Sequence, residues 1–200
     1  YCHDMNIERN SFLASNGARC YGIYLYRNNY SISGTSRFVN NFISIHNTTS
    51  TTYGLRPYYT EDLLAAHNTI YINSSYSSAY NVYTYSGSNH EYYNNIYYND
   101  GNGRNWYVSS PSIITDSDYN TFYTNGSVLA YWSGNRSDLA ALQAASGRDQ
   151  HSISKPVSFV DPLSGDLHLA SPSDDDTDLF GMLMPEVTVD IDHDTRVNPY

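Results

Sequence analysis

Large apolar residues alternate with polar ones in short runs, and the runs recur at a nearly constant interval. Five of them begin with Asn, any residue, then a large apolar residue. They are Asn10-Ser11-Phe12, Asn41-Phe42-Ile43, Asn68-Thr69-Ile70, Asn94-Asn95-Ile96 and Asn120-Thr121-Phe122, with the Asn residues 31, 27, 26 and 26 positions apart. Two residues further on stand Ala14, Ile45, Ile72, Tyr98 and Thr124. A period of two puts alternate side chains on opposite faces of a strand. A second series keeps step with the first: Tyr21 to Tyr26, Tyr53 to Tyr58 and Tyr80 to Tyr85. In it Ile23, Leu55 and Val82 share one phase. Tyr24, Arg56 and Tyr83 share the other, which Tyr26, Tyr58 and Tyr85 extend.

A strand that returns at so long and regular an interval predicts stacked coils. The fold expected is all-β: a right-handed parallel β-helix of about five coils over residues 1–126, each coil with two aligned strands and room for a third. Strands in successive coils pair about 4.8 Å apart, so equivalent positions stack into ladders. The recurring Asn10, Asn41, Asn68, Asn94 and Asn120 are the expected inward ladder at a bend, bonding backbone and one another as in cross-β stacks. Each buried polar group left unpaired there costs about 1–3 kcal/mol. A β-sandwich with coincidental Asn turns fits less well, because its strands recur at roughly 8–12 residues.

The repeat fades after Thr124, and residues 127–200 read as an irregular cap with one short helix. Ser137 suits the helix N-cap, Asp138 the first turn and Gly147 the C′ position. Short strands and turns follow. A solenoid needs such an atypical segment to hide its open end.

Composition narrows the class. There are 22 Tyr, a single Lys (Lys155) and nine Arg. Residues 1–110 carry six acids and six Arg; residues 111–200 carry fourteen acids against four cations, so the whole net charge of −10 sits in the second part. An acidic chain with one Lys is poorly made for nucleic acid, whose phosphates need clustered cations. No run reaches the roughly 18 apolar residues of a membrane helix. Cys2 and Cys20 are compatible with one disulfide or with two buried thiols.

Residues from Asp118 onward carry a resemblance. Gly147-Arg148-Asp149-Gln150-His151-Ser152, Pro156, Phe159-Val160-Asp161-Pro162, Gly165-Asp166-Leu167-His168-Leu169 and Ser171-Pro172 resemble the C-terminal region of secreted bacterial right-handed β-helix repeat proteins, of the pectate-lyase-like superfamily fold. Asp190-Ile191-Asp192-His193-Asp194-Thr195-Arg196 with Pro199-Tyr200 resembles their Asp-x-Asp-Gly-x-x-Arg segment in the choice-of-anchor Q region, with His193 where Gly is usual. The resemblance implies export to the cell surface or beyond, and a chain cut from a longer one. That fold hosts polysaccharide lyases and hydrolases as well as non-catalytic surface proteins, so it leaves function open.

Three sets of residues are candidates for chemistry. Tyr24, Tyr26, Arg56, Tyr58, Tyr83 and Tyr85, stacked on neighbouring coils, would form an aromatic strip suited to sugar rings, or one that only supports strand pairing. Arg56, Glu61, His90 and Glu91 lie about one coil apart and are the nearest available acid–base set for a lyase or hydrolase. Against them, the coils hold neither a three-carboxylate calcium cluster nor a paired Asp of the inverting kind. Asp190, Asp192 and Asp194 alternate and could wrap Ca²⁺, or be solvated with Arg196 paired to one of them. The expectation is a non-catalytic, exported β-helix domain that presents a Tyr-rich face to polysaccharide or to copies of itself. The alternatives are a lyase or hydrolase fragment acting on an acidic polysaccharide, and a subunit of an extracellular fibre.

Overall fold

The computed structural model describes residues 2–29 and 34–196. Residues 1, 30–33 and 197–200, which include Pro199 and Tyr200 of the C-terminal resemblance, lie outside the described residues. The chain is a parallel β-solenoid of about five turns, with 50% of its residues in strands and 7% in helix.

Each turn contributes three strands. One column stacks β1 (Asn6–Glu8), β4 (Ser36–Val39), the end of β6 (Thr52–Ala66), the end of β8 (Ala79–Tyr93) and β11 (Ile114–Asp118). The next stacks β2 (Ser11–Ser15), β5 (Phe42–Thr48), β7 (Thr69–Ser74), β9 (Ile96–Asn99), β12 (Thr121–Thr124) and β15 (Ile153–Ser154). The third stacks β3 (Cys20–Tyr26), the starts of β6 and β8, β10 (Arg104–Val108) and β13 (Ala130–Trp132). β6 and β8 serve two columns because each bends mid-strand, at Tyr59 and Asp62 in one and at Ser86 and Asn89 in the other, all with positive φ.

The bend between the first and second columns is built the same way in every turn. A residue in the left-handed region (Arg9, Asn40, His67, Asn94 or Tyr119, φ 54–57°) turns the chain, and the next residue is an inward Asn. The ladder is therefore Asn10, Asn41, Asn68, Asn95 and Asn120. Asn94, expected inside, is the left-handed residue and points outward. From Asn41 onward each side-chain Oδ1 accepts both the backbone N–H and the Nδ2–H of the Asn one turn earlier, at 3.0–3.1 Å. Each Nδ2 from Asn41 onward also donates to a carbonyl of an earlier turn, as Asn68 does to Phe38 at 2.7 Å and Asn95 to Ala65 at 2.9 Å.

The shift by one carries into the core. Phe12, Ile43, Ile70, Tyr97 and Phe122 stack in register. Tyr97 is fully buried there, while Ile96 faces outward. The step two residues on reads Ala14, Ile45, Ile72, Asn99 and Thr124. Asn-Asn repeated over two positions permitted both alignments; only the outward φ-positive partner separates them. A second interior cluster, Asn81, Asn99 and Asn105, satisfies the bend into the third column. There Asn105 Nδ2 donates to Asn81 Oδ1 and to the carbonyls of Tyr97 and Tyr123. The first two turns carry Gly22 and Gly54 at that bend, where a Cβ would stand within 2.7 Å of Ile43 and 2.4 Å of Ile70.

The C-terminal end of the stack is closed. Helix α1 (Leu139–Ser146) inserts Leu142 into the core beside Trp132, and β14 (Asn135–Arg136) folds antiparallel onto β13. The helix N-cap is Asp138, which accepts from Ala141 N–H at 2.8 Å; Ser137 instead donates to Asp138. Gly147 caps the other end at φ 69°. Ser152 and Asp149 together end the ladder: Ser152 Oγ accepts the Asn120 backbone N–H at 2.8 Å, and Asp149 Oδ1 accepts from the Asn120 amide, Ser117 and Ser152 at 2.8–3.1 Å.

Beyond the helix the chain does more than cap the end. Residues 156–196 double back along the outside as a strap. Its hairpin, β16 (Phe159–Asp161) and β17 (Asp166–Leu169), packs Phe159 and Leu167, with Ile191, over Phe42, Tyr71 and Tyr98 on the second column. Met184 and Val187 pack over Val39, Leu64 and Ala66 on the first. Polar clasps fix it: Met182 exchanges two hydrogen bonds with Asn94 (2.8 and 2.9 Å), and Arg196 reaches Asn40 at 2.7 Å.

Two measurements check this arrangement. Asn95→Ala strands the Asn68 amide and the Ala65 carbonyl, and we expect it to cost roughly 3 kcal/mol by urea unfolding. Asn94→Gly keeps the left-handed turn and loses the strap contacts and the bond to His67, at about 1 kcal/mol. The second concerns pH. Burial pushes His90 down to about 4, and burial with the Arg196 charge pushes His67 to about 3. Both are neutral in the fold and protonate on unfolding near 6.5, so stability is full above that pH and falls with acidification. At pH 5 each has removed about 2 kcal/mol. A melting temperature that is flat from pH 7 to 5, or a His90→Gln variant with an unchanged slope, contradicts this.

Candidate functional site

The strap covers two of the three columns and leaves the outer surface of the third open. That surface is tyrosine in three rows. Tyr21, Tyr53 and Tyr80 form one, with ring centroids 5.1 and 5.8 Å apart. Tyr26, Tyr58 and Tyr85 form another, at 5.9 and 5.0 Å. Between them run Tyr24, Arg56, Tyr83, Tyr107 and Tyr131, the last three stacked at 4.5 and 4.7 Å. The parallel register makes the rows: residues one turn apart are brought to ring-stacking distance.

The predicted strip, Tyr24, Tyr26, Arg56, Tyr58, Tyr83 and Tyr85, thus lies together on one face. Sequence reasoning missed Tyr21, Tyr53, Tyr80, Tyr107, Tyr131 and Arg104. The first three share a pleat phase with inward Ile23, Leu55 and Val82, and only the bend at Gly22, Gly54 and Asn81 turns them out. Tyr83, Tyr107 and Tyr131 are evenly spaced along the chain, a signal that was available.

Arg56 sits at the centre of this face. Its guanidinium carbon lies 4.7–5.5 Å from the ring centroids of Tyr21, Tyr24, Tyr53, Tyr58 and Tyr83. Nη1 donates to the Tyr21 hydroxyl at 3.3 Å, and Nε is buried without a partner. Arg104, next in the Tyr21 row, lies 5.9 Å from the Tyr80 ring, and its Nε is likewise unpaired. Neither Arg meets a carboxylate among the described residues. Cation–π contact holds the charge in place without neutralising it.

Burial, with neighbouring phenols adding to it, pushes Tyr83 up to about 12 and raises Tyr53, Tyr58 and Tyr107. Within the rows, ring faces are taken by neighbours, so the surface offers ring edges and hydroxyls. Tyr24, tilted 45° from Tyr26 and 45% exposed, offers part of a ring face.

The acid–base set does not assemble. His90 is wholly buried among core side chains, bonded to the Thr60 carbonyl at 2.8 Å and the Tyr92 hydroxyl at 3.3 Å. Glu91 has the opposite pleat phase and lies in register with Leu64 and Asp116. Glu61 lies past the Tyr59 bend, in register with Ser88, and Arg56 is on the tyrosine face. One-coil spacing made these residues near in projection; pleat and bend point them to different sides. Asp190, Asp192 and Asp194 do not converge either. Asp190 Oδ1 accepts the backbone N–H groups of Asp192 and Asp194, closing a turn, while Asp192 bonds His168 at 2.8 Å. No group of three or more His, Cys, Asp or Glu among the described residues is placed to hold a metal ion. Cys2 and Cys20 are free thiols.

No protein-family model, curated protein or solved structure matches the chain. Among the described residues no helix is long and apolar enough to cross a membrane.

Raised phenol pKa values carry a stability consequence. Unfolded tyrosines lose protons near 10 and folded Tyr71, Tyr83 and Tyr98 near 12, so stability is full below about pH 10 and falls as pH rises between the two. We expect the melting temperature to drop between about pH 10 and 12, and to drop less steeply in a Tyr71→Phe, Tyr83→Phe, Tyr98→Phe variant; an identical slope in that variant contradicts it.

Proposed function

We propose that this chain is a non-catalytic β-solenoid domain of an exported surface or extracellular protein, and that it binds polysaccharide across its tyrosine face. The observation that carries the reading is the open three-row face with Arg56 at its centre. An aromatic patch of this extent, left bare while the strap covers the neighbouring columns, is the kind of surface that marks a binding site. Its chemistry suits a sugar chain: many phenol hydroxyls to meet hydroxyls, apolar ring edges to meet C–H groups, and little side-chain freedom to lose. Export is supported by the resemblance of residues 147–196 to secreted β-helix proteins.

Tyr24 and Tyr26 test this best, because they are about half exposed and little needed for folding. Affinity electrophoresis and calorimetry against neutral and uronate-containing polysaccharides should find a ligand. Tyr24→Ala with Tyr26→Ala should weaken it about ten- to a hundredfold, with the melting temperature nearly unchanged. Release of unsaturated product would overturn the non-catalytic part. Absence of binding across the panel, or binding indifferent to both substitutions, would overturn the face.

A further inference from the structure

We propose that the N-terminal end of the solenoid is a docking surface for a further β-coil: a polypeptide segment with its own Asn-x-apolar strand, pairing in parallel with β1, β2 and β3. This end adjoins the tyrosine face, because β3 carries Tyr21, Tyr24 and Tyr26 and Tyr21 also lines the hollow at this end, but the proposal does not rest on polysaccharide binding.

Three observations meet there. Among the described residues, β1, β2 and β3 each pair on one side only, with β4, β5 and β6. They contain neither proline nor lysine, the usual means of blunting a free edge. The Asn ladder also ends on an open acceptor. Asn10 donates its backbone N–H and Nδ2–H to Asn41 Oδ1, as Asn41, Asn68 and Asn95 do to the next Asn. Its own Oδ1 accepts no hydrogen bond among the described residues, whereas the Oδ1 of Asn41, Asn68, Asn95 and Asn120 each accept two. Finally, a hollow of about 340 Å³ opens between β2 and β3, lined by Phe12, Leu13, Ala14, Gly22, Ile43 and Ile45. Phe12, Ala14 and Ile23 are only partly buried at this end, so they are the core residues a further coil would cover.

The hydrogen-bond pattern chooses the occupant. Asn10 Oδ1 requires a backbone N–H and an amide N–H from one residue, which a preceding ladder Asn supplies. The apolar residue two positions after that Asn enters the hollow, as Ile43 follows Asn41. A second copy meeting this end across a two-fold axis would set Asn10 Oδ1 against its own equivalent, acceptor to acceptor. A copy stacked head to tail would need an open C-terminal end, which α1, β14 and Asp149 close. The complementary surface is a parallel coil of the ladder type.

The probe is a synthetic peptide of residues 40–48, the segment that forms β5, added to the whole chain. Amide exchange across Ser11–Ser15 should slow about tenfold or more on saturation. The same peptide with Asn41→Leu should give little protection. The chain carrying Asn10→Leu should bind the native peptide at least tenfold more weakly, its fold checked by an unchanged core exchange pattern. Failure of the peptide to protect β2, equal protection in Asn10→Leu, or protection without peptide that tracks a doubled mass would each overturn the proposal, the last in favour of a two-fold dimer.

Discussion

Every turn of this molecule must pass two peptide groups through a bend that faces the interior, and the inward Asn stack is what makes that possible. A side-chain amide can accept from the turn before and donate to the turn after in the same way that a strand does. Asn41, Asn68, Asn95 and Asn120 form one continuous column of such bonds, all buried. Because each residue must meet its copy, the column locks the register of all three strands in the turn. The apolar stacks of Phe12 to Phe122 and Ile23 to Ala130 are consequences of that lock.

The same register makes the outer surface. Tyrosines at equivalent positions cannot avoid stacking, and burial against neighbouring phenols raises the pKa values of Tyr53, Tyr58, Tyr83 and Tyr107. Arg56 and Arg104 interrupt the rows with charge that no carboxylate among the described residues pairs. A chain with net charge −10 therefore presents a locally cationic, hydroxyl-rich face, while its acids gather in the strap. Lys155 meets Asp176 and Asp178 there, and His168 bridges Asp166 and Asp192.

The strap gives the molecule its asymmetry. It covers the apolar outer residues of two columns, such as Phe42, Tyr71 and Leu64, which would otherwise be exposed beside the tyrosines. It binds by reading the bend residues: Asn40 and Asn94, held outward by their left-handed backbone, are the groups it grips. One bend thus supplies both the interior ladder and the exterior clasp. The two ends of the stack differ as well, one sealed by Leu142 and Asp149 and the other ending on open edges.

The repeat spacing alone determined the fold class, since strands that return at so long an interval with matched phases admit few alternatives to a stacked coil. It also determined most of the ladder and the tyrosine strip, because in a parallel stack sequence position maps directly onto surface position. What it could not determine was anything that depends on a single backbone dihedral. Asn94 and Asn95 carry the same side chain, and only the sign of φ at Asn94 decides which enters the core. His90 and Glu91 are adjacent in sequence, and the pleat sends one inside and one out. Tyr21, Tyr53 and Tyr80 needed the bend beside them to face outward. The strap's path belongs to tertiary structure entirely: residues 156–196 have no repeat, and their contacts, such as Met182 with Asn94, join positions 88 residues apart. Periodic physics was written in the chain; aperiodic contacts had to be folded to be seen.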